Sequence, residues 1–399
     1  MFVHSIMIQI TYIILLLFML FVLYKTGLHL QKKWKIISAA GLSSLLVYTL
    51  NEGLRFGRGI DYNLYWRGYM NLEHGWDTQT NIGFYILEKT LVLFNLPWQA
   101  CVIIMSFIFI LATLILMKNY RQVIMFALPL WVFFTKESVE NLMRWNLAFS
   151  FIMIGLSFLL QEDKIINYKF WILSLIGATF HYAILPIPIV FNLLYFFNKP
   201  IIKPVYALVI FLVISLLFEV KFMMHFANML NNLSFMGDKF QGYIDNAEFW
   251  LTKSVGGVRS SSWIGGYQTF LSFFLAIAGY ICCKKMDKKY IFAYNLFIIG
   301  LILRPLTIQV ELLNRFDNLF FYFRAIVFAT IIYVVLKKYV FEHRGVISVL
   351  LYIVLILTLI VPIKNTLSTN ENKLLYIWNS EGKTPESMLN MYYEDKQKK

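Results

Sequence analysis

The chain has 399 residues, of which 59% are hydrophobic, 18% aromatic and only 15% charged, with a formal net charge of +14. That is too apolar for a water-soluble fold, which must cover itself with polar groups. Lysine and arginine fall in short clusters between long apolar runs, a record of membrane topology, so the positive charge does not argue for nucleic acid as a partner.

In lipid every backbone polar group must be satisfied internally, and the apolar runs here are too long for strands and lack the alternation of barrel strands. The prediction is an all-α, polytopic integral membrane bundle. At ~20 apolar residues per crossing, with shorter spans where the pattern breaks, the first half holds helices at 6–24, 36–50, 98–117, 121–135, 145–160 and 169–180. The second half adds 183–197, 204–219, 264–283, 290–303, 318–336 and 345–363, making about twelve crossings. The run at 6–24 is too long for a signal-peptide core and no small-residue cleavage site follows it, so it is the first span. Residues 81–95 carry Glu88 and Lys89 before Pro97, which predicts an amphipathic helix at the interface. Residues 1–363 thus form one transmembrane domain and 364–399 a polar tail. Cys101, Cys282 and Cys283 all fall in spans, so no structural disulfide is expected.

Alternate loops differ in charge. Residues 25–35, 118–121, 161–169, 198–203, 284–289 and 337–344 hold 17 Lys or Arg in 44 positions, whereas 51–80, 136–144, 220–262 and 304–317 hold 11 in 96. The first set is therefore cytoplasmic. Both termini, the loops 51–80, 220–262 and 304–317, and the turn around His181 then face outward.

The external segments are rich in Arg, Tyr, Trp, Asn and Asp, and charges at the mouths of spans are costly enough to suggest function. The stretch NEGLRFGRGIDYNLYWRGY (51–69) packs Arg55, Arg58 and Asp61 among Tyr62 and Tyr65. Arginine forks suit phosphate oxygens and aromatic faces suit sugar rings, although the same residues fit an interfacial belt with snorkelling arginines. In KESVENLMRWNLAFSF (136–151), Arg144 stands at the mouth of a span with Glu140 one turn before it, either a surface ion pair or a ligand site. His181, in GATFHYAILPIP, sits at an outward turn, where it is a core histidine, a proton shuttle or a phosphate contact. RPLTIQVELLNRFDNLFFYFR (304–324) brings Arg304, Glu311, Arg315, Asp317 and Arg324, with Arg315 and Asp317 either a structural ion pair or ligand contacts, and SVGGVRSSSWIGGY (254–267) brings Arg259 with backbone amides for an anion. There is no HExxH, GxSxG or Walker loop, and the six histidines have no metal-ligand spacing.

At these residues the chain resembles the EpsG-like branch of Wzy-type bacterial polysaccharide polymerases. The resemblance runs, in order, through GxDYxxY (Gly59, Asp61, Tyr62, Tyr65), LMRWNLAFSF with Arg144, ATFHYAIL with His181, and NRFDNLFFYF with Arg315 and Tyr322. Trp145 departs from the family pattern, which often has Gln or Asn beside the arginine. The resemblance implies a glycosyltransferase that joins repeat units carried on undecaprenyl pyrophosphate at the outer face of the bacterial cytoplasmic membrane. Donor and acceptor would both be lipid-linked oligosaccharides, with membrane lipids, a chain-length regulator and a flippase as partners, and with no metal or other cofactor. His181, Asp61 and Arg144 are then the expected catalytic set. Arg55, Arg58, Tyr62, Tyr65, Glu140, Arg259, Arg304, Arg315 and Tyr322 are the expected substrate contacts. A lipid-linked oligosaccharide flippase and a membrane acyltransferase are the competing readings. A flippase is expected to show inverted repeats, which are not seen here, and acyl donors are usually cytoplasmic, whereas His181 is expected outside.

Overall fold

A computed structural model of the protein describes residues 2–76, 81–162, 167–197, 201–217, 263–307, 311–336, 374–380 and 382–397, with a few positions between 356 and 364. Among these the α-helices, in chain order, are α1 (Phe2–Lys32), α2 (Ala39–Gly53), α3 (Ile60–Glu73), α4 (Ile82–Leu93) and α5 (Trp98–Met117). Then follow α6 (Ile124–Asn141), α7 (Met143–Glu162), α8 (Tyr168–Phe180), α9 (Pro186–Phe196) and α10 (Pro204–Leu217). The last are α11 (Trp263–Cys283), α12 (Lys288–Thr307), α13 (Glu311–Phe321), α14 (Arg324–Val335) and α15 (Pro385–Gln397). The described residues contain no strand, only an isolated antiparallel bridge between Arg55 and Tyr376.

The helices behave as a bilayer demands. On α1, Tyr12, Leu16, Met19 and Leu23 are buried while Ile10, Ile14, Leu17 and Phe21 are exposed, so the helix is apolar on both faces. Four stretches among the described residues are long and apolar enough to cross a membrane: Ile6–Lys32, Trp98–Tyr120, Met143–Glu162 and Asn314–Val335. Others expected as spans are short. The 15 residues of α2 and the 11 of α9 reach only about 22 and 16 Å at ~1.5 Å per residue, against ~30 Å of hydrocarbon.

Several boundaries differ from the sequence expectation for a common reason: the search for apolar runs passes over mixed helices. The expected loop 51–80 contains α3, whose aromatic residues face the core. The expected loop 304–317 is largely helical, being the end of α12 and the start of α13. Helix α6 continues past 135 to Asn141 and carries Lys136 and Glu140. The expected span at 318–336 is broken at Tyr322–Phe323. Helix α4 forms where an amphipathic helix was expected. The expected span 345–363, for the most part, and the 220–262 loop lie outside the described residues.

The described parts of the two sets of loops lie at opposite ends of the bundle. At one end Arg121 donates to the carbonyls of Gln31 and Lys32, at 2.9 and 2.5 Å, and Lys118 donates to Gln161. A cavity of about 400 Å³ at this end is lined by residues including Gln31, Arg121, Asp287 and Tyr333. The other end carries the 54–59 loop, the α6–α7 junction, His181 and the segment 374–397.

Candidate functional site

The arginine-rich end is built on two glycines. Gly57 and Gly59 have φ of +63° and +83°, the left-handed region that favours glycine. A Cβ on Gly59 would lie 2.8 Å from the Glu140 carbonyl oxygen and 2.9 Å from Asn141 Cα. The loop thus presses onto the end of α6, and Asn141 Oδ1 accepts from the Ile60 amide at 3.0 Å to start α3.

Arg58, between these glycines, is 1% exposed. Its Nε donates to the Leu375 carbonyl at 3.0 Å, Nη2 to the Leu374 carbonyl at 3.2 Å, and Nη1 to Glu140 Oε1 at 3.0 Å. The guanidinium lies between the rings of Tyr376 and Tyr12, 4.2 and 5.0 Å from their centroids. Burial works against its charge, but Tyr376, Glu140, Tyr12 and Glu52 outweigh it and hold Arg58 protonated above its ordinary value. Lys136 also pairs with Glu140. Arg55 is equally buried, donating to the Glu52 carbonyl at 2.7 Å. The Phe56 amide donates to Leu375 and the Ile377 amide to Leu54, so the segment 374–377 lies along the loop like a strap. Arg55, Arg58 and Glu140, expected to meet substrate, are therefore engaged inside the protein. Tyr62 is buried too, donating to Gln99 at 3.0 Å, and burial pushes its hydroxyl up to about 12.

A second cluster lies beside this scaffold. The chain breaks helical form at Leu142, with φ −104° and ψ +60°, and restarts as α7, which sets Arg144 in a first turn whose free amides favour an anion. Its guanidinium lies over Tyr65 at 4.3 Å and over Phe84 at 5.3 Å from the ring centroids. Tyr65 donates to Asp61 Oδ2 at 3.1 Å. Burial pushes the Tyr65 hydroxyl up, Asp61 adds to the rise, and the charges of Arg144 and Arg315 pull against it. Trp145 meets His181 edge to face at a centroid distance of 5.1 Å and meets Phe316, next to Arg315, at the same distance. Asp61, Tyr65, Arg144, His181 and Arg315 are thus drawn together from α3, α7, the end of α8 and α13.

The two arginines differ from Arg58 in one respect. Among the described residues neither Arg144 nor Arg315 has a carboxylate within ion-pairing distance. The Nε of each is buried without a hydrogen-bond partner. Leaving such donors unmatched is costly, and an anion would satisfy them. Arg304 and Arg324 both lie on Phe321, at 4.4 and 4.3 Å. Tyr322 is buried and donates to Ser138 and to Asn146, tying α13 to the α6–α7 junction. Arg259 lies outside the described residues. No group of three metal-ligating side chains occurs among the described residues.

A family model described as the EpsG family matches residues 38–378. The chain belongs to the EpsG family. No curated protein and no solved structure matches it. The EpsG family consists of polysaccharide polymerase-like membrane proteins, and the matched stretch runs from α2 through the strap held by Arg58. Sequence reasoning missed Trp145 and Phe316 as the aromatic link between His181 and Arg315, and Lys136, Tyr12 and Tyr376 as the seat of Arg58. The alternation of aromatic and arginine residues in RWNLAF and NRFDNLF was the available signal.

Proposed function

We propose that this EpsG-family protein is a polysaccharide polymerase that transfers a growing glycan from undecaprenyl pyrophosphate to a lipid-linked repeat unit at the outer face of the cytoplasmic membrane. The observation that supports this reading above the rest is the pair Arg144 and Arg315, two half-buried cations, the first lying over Tyr65 and Phe84, without carboxylate partners among the described residues. A pyrophosphate fits the arginines, and a sugar fits the faces of Tyr65 and Trp145.

In the reaction the acceptor hydroxyl oxygen bonds to the anomeric carbon of the donor. The bond from that carbon to the pyrophosphate oxygen breaks, and the electron pair leaves on the pyrophosphate. Arg144 and Arg315 stabilise the charge that develops there, without a metal in the step. Asp61 already accepts from Tyr65, whose ring lies under Arg144, so it organises the cluster. The acceptor hydroxyl's proton goes to His181 or, where His181 contacts the donor, to the departing pyrophosphate.

The test is deletion of the gene followed by gel analysis of surface glycan, paired with purified protein and a lipid-linked repeat unit. A ladder in the wild type that collapses to single units in the deletion supports the reading. A normal ladder in the deletion, together with purified protein that forms no polymer, rejects it.

A further inference from the structure

Helix α4 is inverted relative to a surface helix in water. Ile82, Ile86 and Leu93 are exposed at 57 to 74%, while Phe84, Glu88 and Leu91 form the buried face, Glu88 at 1% exposure. The exposed stripe suits lipid, and the carboxylate points into the protein. A buried carboxylate is expensive unless it is paired or has a purpose. Glu88 stands one turn beyond Phe84, whose ring lies under Arg144, and Glu88 Oε2 is buried with no hydrogen-bond partner. Arg144 acts on it electrostatically but does not contact it as an ion pair.

We infer that Glu88 is a positioning residue: a titratable counter-charge beneath Arg144 whose protonation sets how much of the arginine's charge is open to the donor pyrophosphate. The inference rests on the proposed function, because the anion it concerns is that donor. With Glu88 neutral, Arg144 offers its full charge. With Glu88 ionised, the carboxylate offsets part of that charge and repels the incoming anion. Binding and protonation are reciprocal, so a bound pyrophosphate also holds the proton on Glu88. Burial pushes this carboxyl up to about 8 against the pull of Arg144, so the change falls near neutral pH. The other groups around it are Tyr69 from α3 and Cys101 from α5. Helix α8 meets α4 at Gly83 through the neutral Thr179.

The experiment measures binding of a polyprenyl pyrophosphoryl sugar to the detergent-solubilised full chain from about pH 6.5 to about pH 9.5. Each of its two phosphates keeps one fixed charge over that range, so any slope belongs to the protein. The wild type should bind roughly tenfold more weakly at the alkaline end, a typical coupling between adjacent sites. Glu88→Gln should bind at the acid-limb strength throughout. Glu88→Ala, which removes the same carboxylate without mimicking its shape, should also lack the slope. The series is repeated with His181→Gln to remove the imidazole as a source of slope. A slope that survives in Glu88→Gln, a slope lost in His181→Gln alone, or no binding by the wild type at any pH overturns the inference. Wild-type binding with the expected slope but no polymer formation would reject the polymerase reading and leave the role of Glu88 standing.

Discussion

Arg58→Ala should release the strap while leaving the helices in place. The substitution strands the carbonyls of Leu374 and Leu375, removes one of the two cations on Glu140, and empties the space between Tyr12 and Tyr376. Hydrogen bonds to a charged group are worth ~1.5–3 kcal/mol each. Breaking a buried ion pair costs ~3–5 kcal/mol, here reduced because Lys136 remains with Glu140. These contributions overlap, so about 3–5 kcal/mol is the expected loss, which raises the open population of the strap by roughly two to four orders of magnitude. Arg58→Lys recovers one of the three contacts and should fall between, since an ammonium cannot span all three acceptors. The assay is limited proteolysis of detergent-solubilised protein carrying an epitope at the C-terminus, together with thermal unfolding. The epitope should be lost faster in Arg58→Ala, with the cores of α5 and α7 still protected. If cleavage and melting match the wild type while polymer formation is lost, Arg58 is a substrate contact and the scaffold assignment is wrong.

Arg144→Ala and Arg315→Ala should each lower polymerisation on the order of a hundredfold at normal membrane levels, as removal of a charge-assisted contact to an anion does, and Arg→Lys should also impair. A full glycan ladder in both alanine variants would end their assignment. Asp61→Asn removes the negative charge beside Tyr65 and should lower the rate without moving the pH profile, whereas His181→Gln should change that profile if the imidazole moves a proton. The opposite pattern would exchange their roles. Gly59→Ala should destabilise by about 1–3 kcal/mol, because its φ is positive and its Cβ would meet the α6 backbone; an unchanged melting temperature would contradict that geometry. Single cysteines at Asn71 and Asp287 should label from opposite sides of the membrane, Asn71 from outside, and the reverse result would turn the whole site inward.

Apolar periodicity was enough to anticipate the helical class and the positions of α5, α7, α8 and α10, because a lipid-facing helix advertises itself by composition alone. Helix α3 escaped notice since its tyrosines and Arg67 resemble an interfacial loop, and only packing against Trp98 and Phe84 shows that they form a buried face. Within the site, Asp61, Tyr65, Arg144, His181 and Arg315 were legible as costly polar residues at helix mouths. That Arg58 belongs elsewhere was not, because its partners lie 316 and 317 residues away in a tail with no apolar signal. Glu88 was hidden for the opposite reason. Beside Lys89 it reads as half of a polar surface, and only the burial of Phe84 and Leu91 on the same side reverses that.

The strap also dictates an order of assembly. Residues 54–59 are made early, yet the carbonyls that hold Arg58 come from 374 and 375, after every helix from α1 to α14. Until that segment is delivered to the same side, Arg58 keeps Glu140 but lacks its two carbonyl acceptors, and the loop leading to Asp61 is held only by its contacts with the end of α6. Translation that stops before residue 374 therefore leaves Arg58 with one of its three side-chain acceptors and the cluster around Asp61 on an unbraced loop.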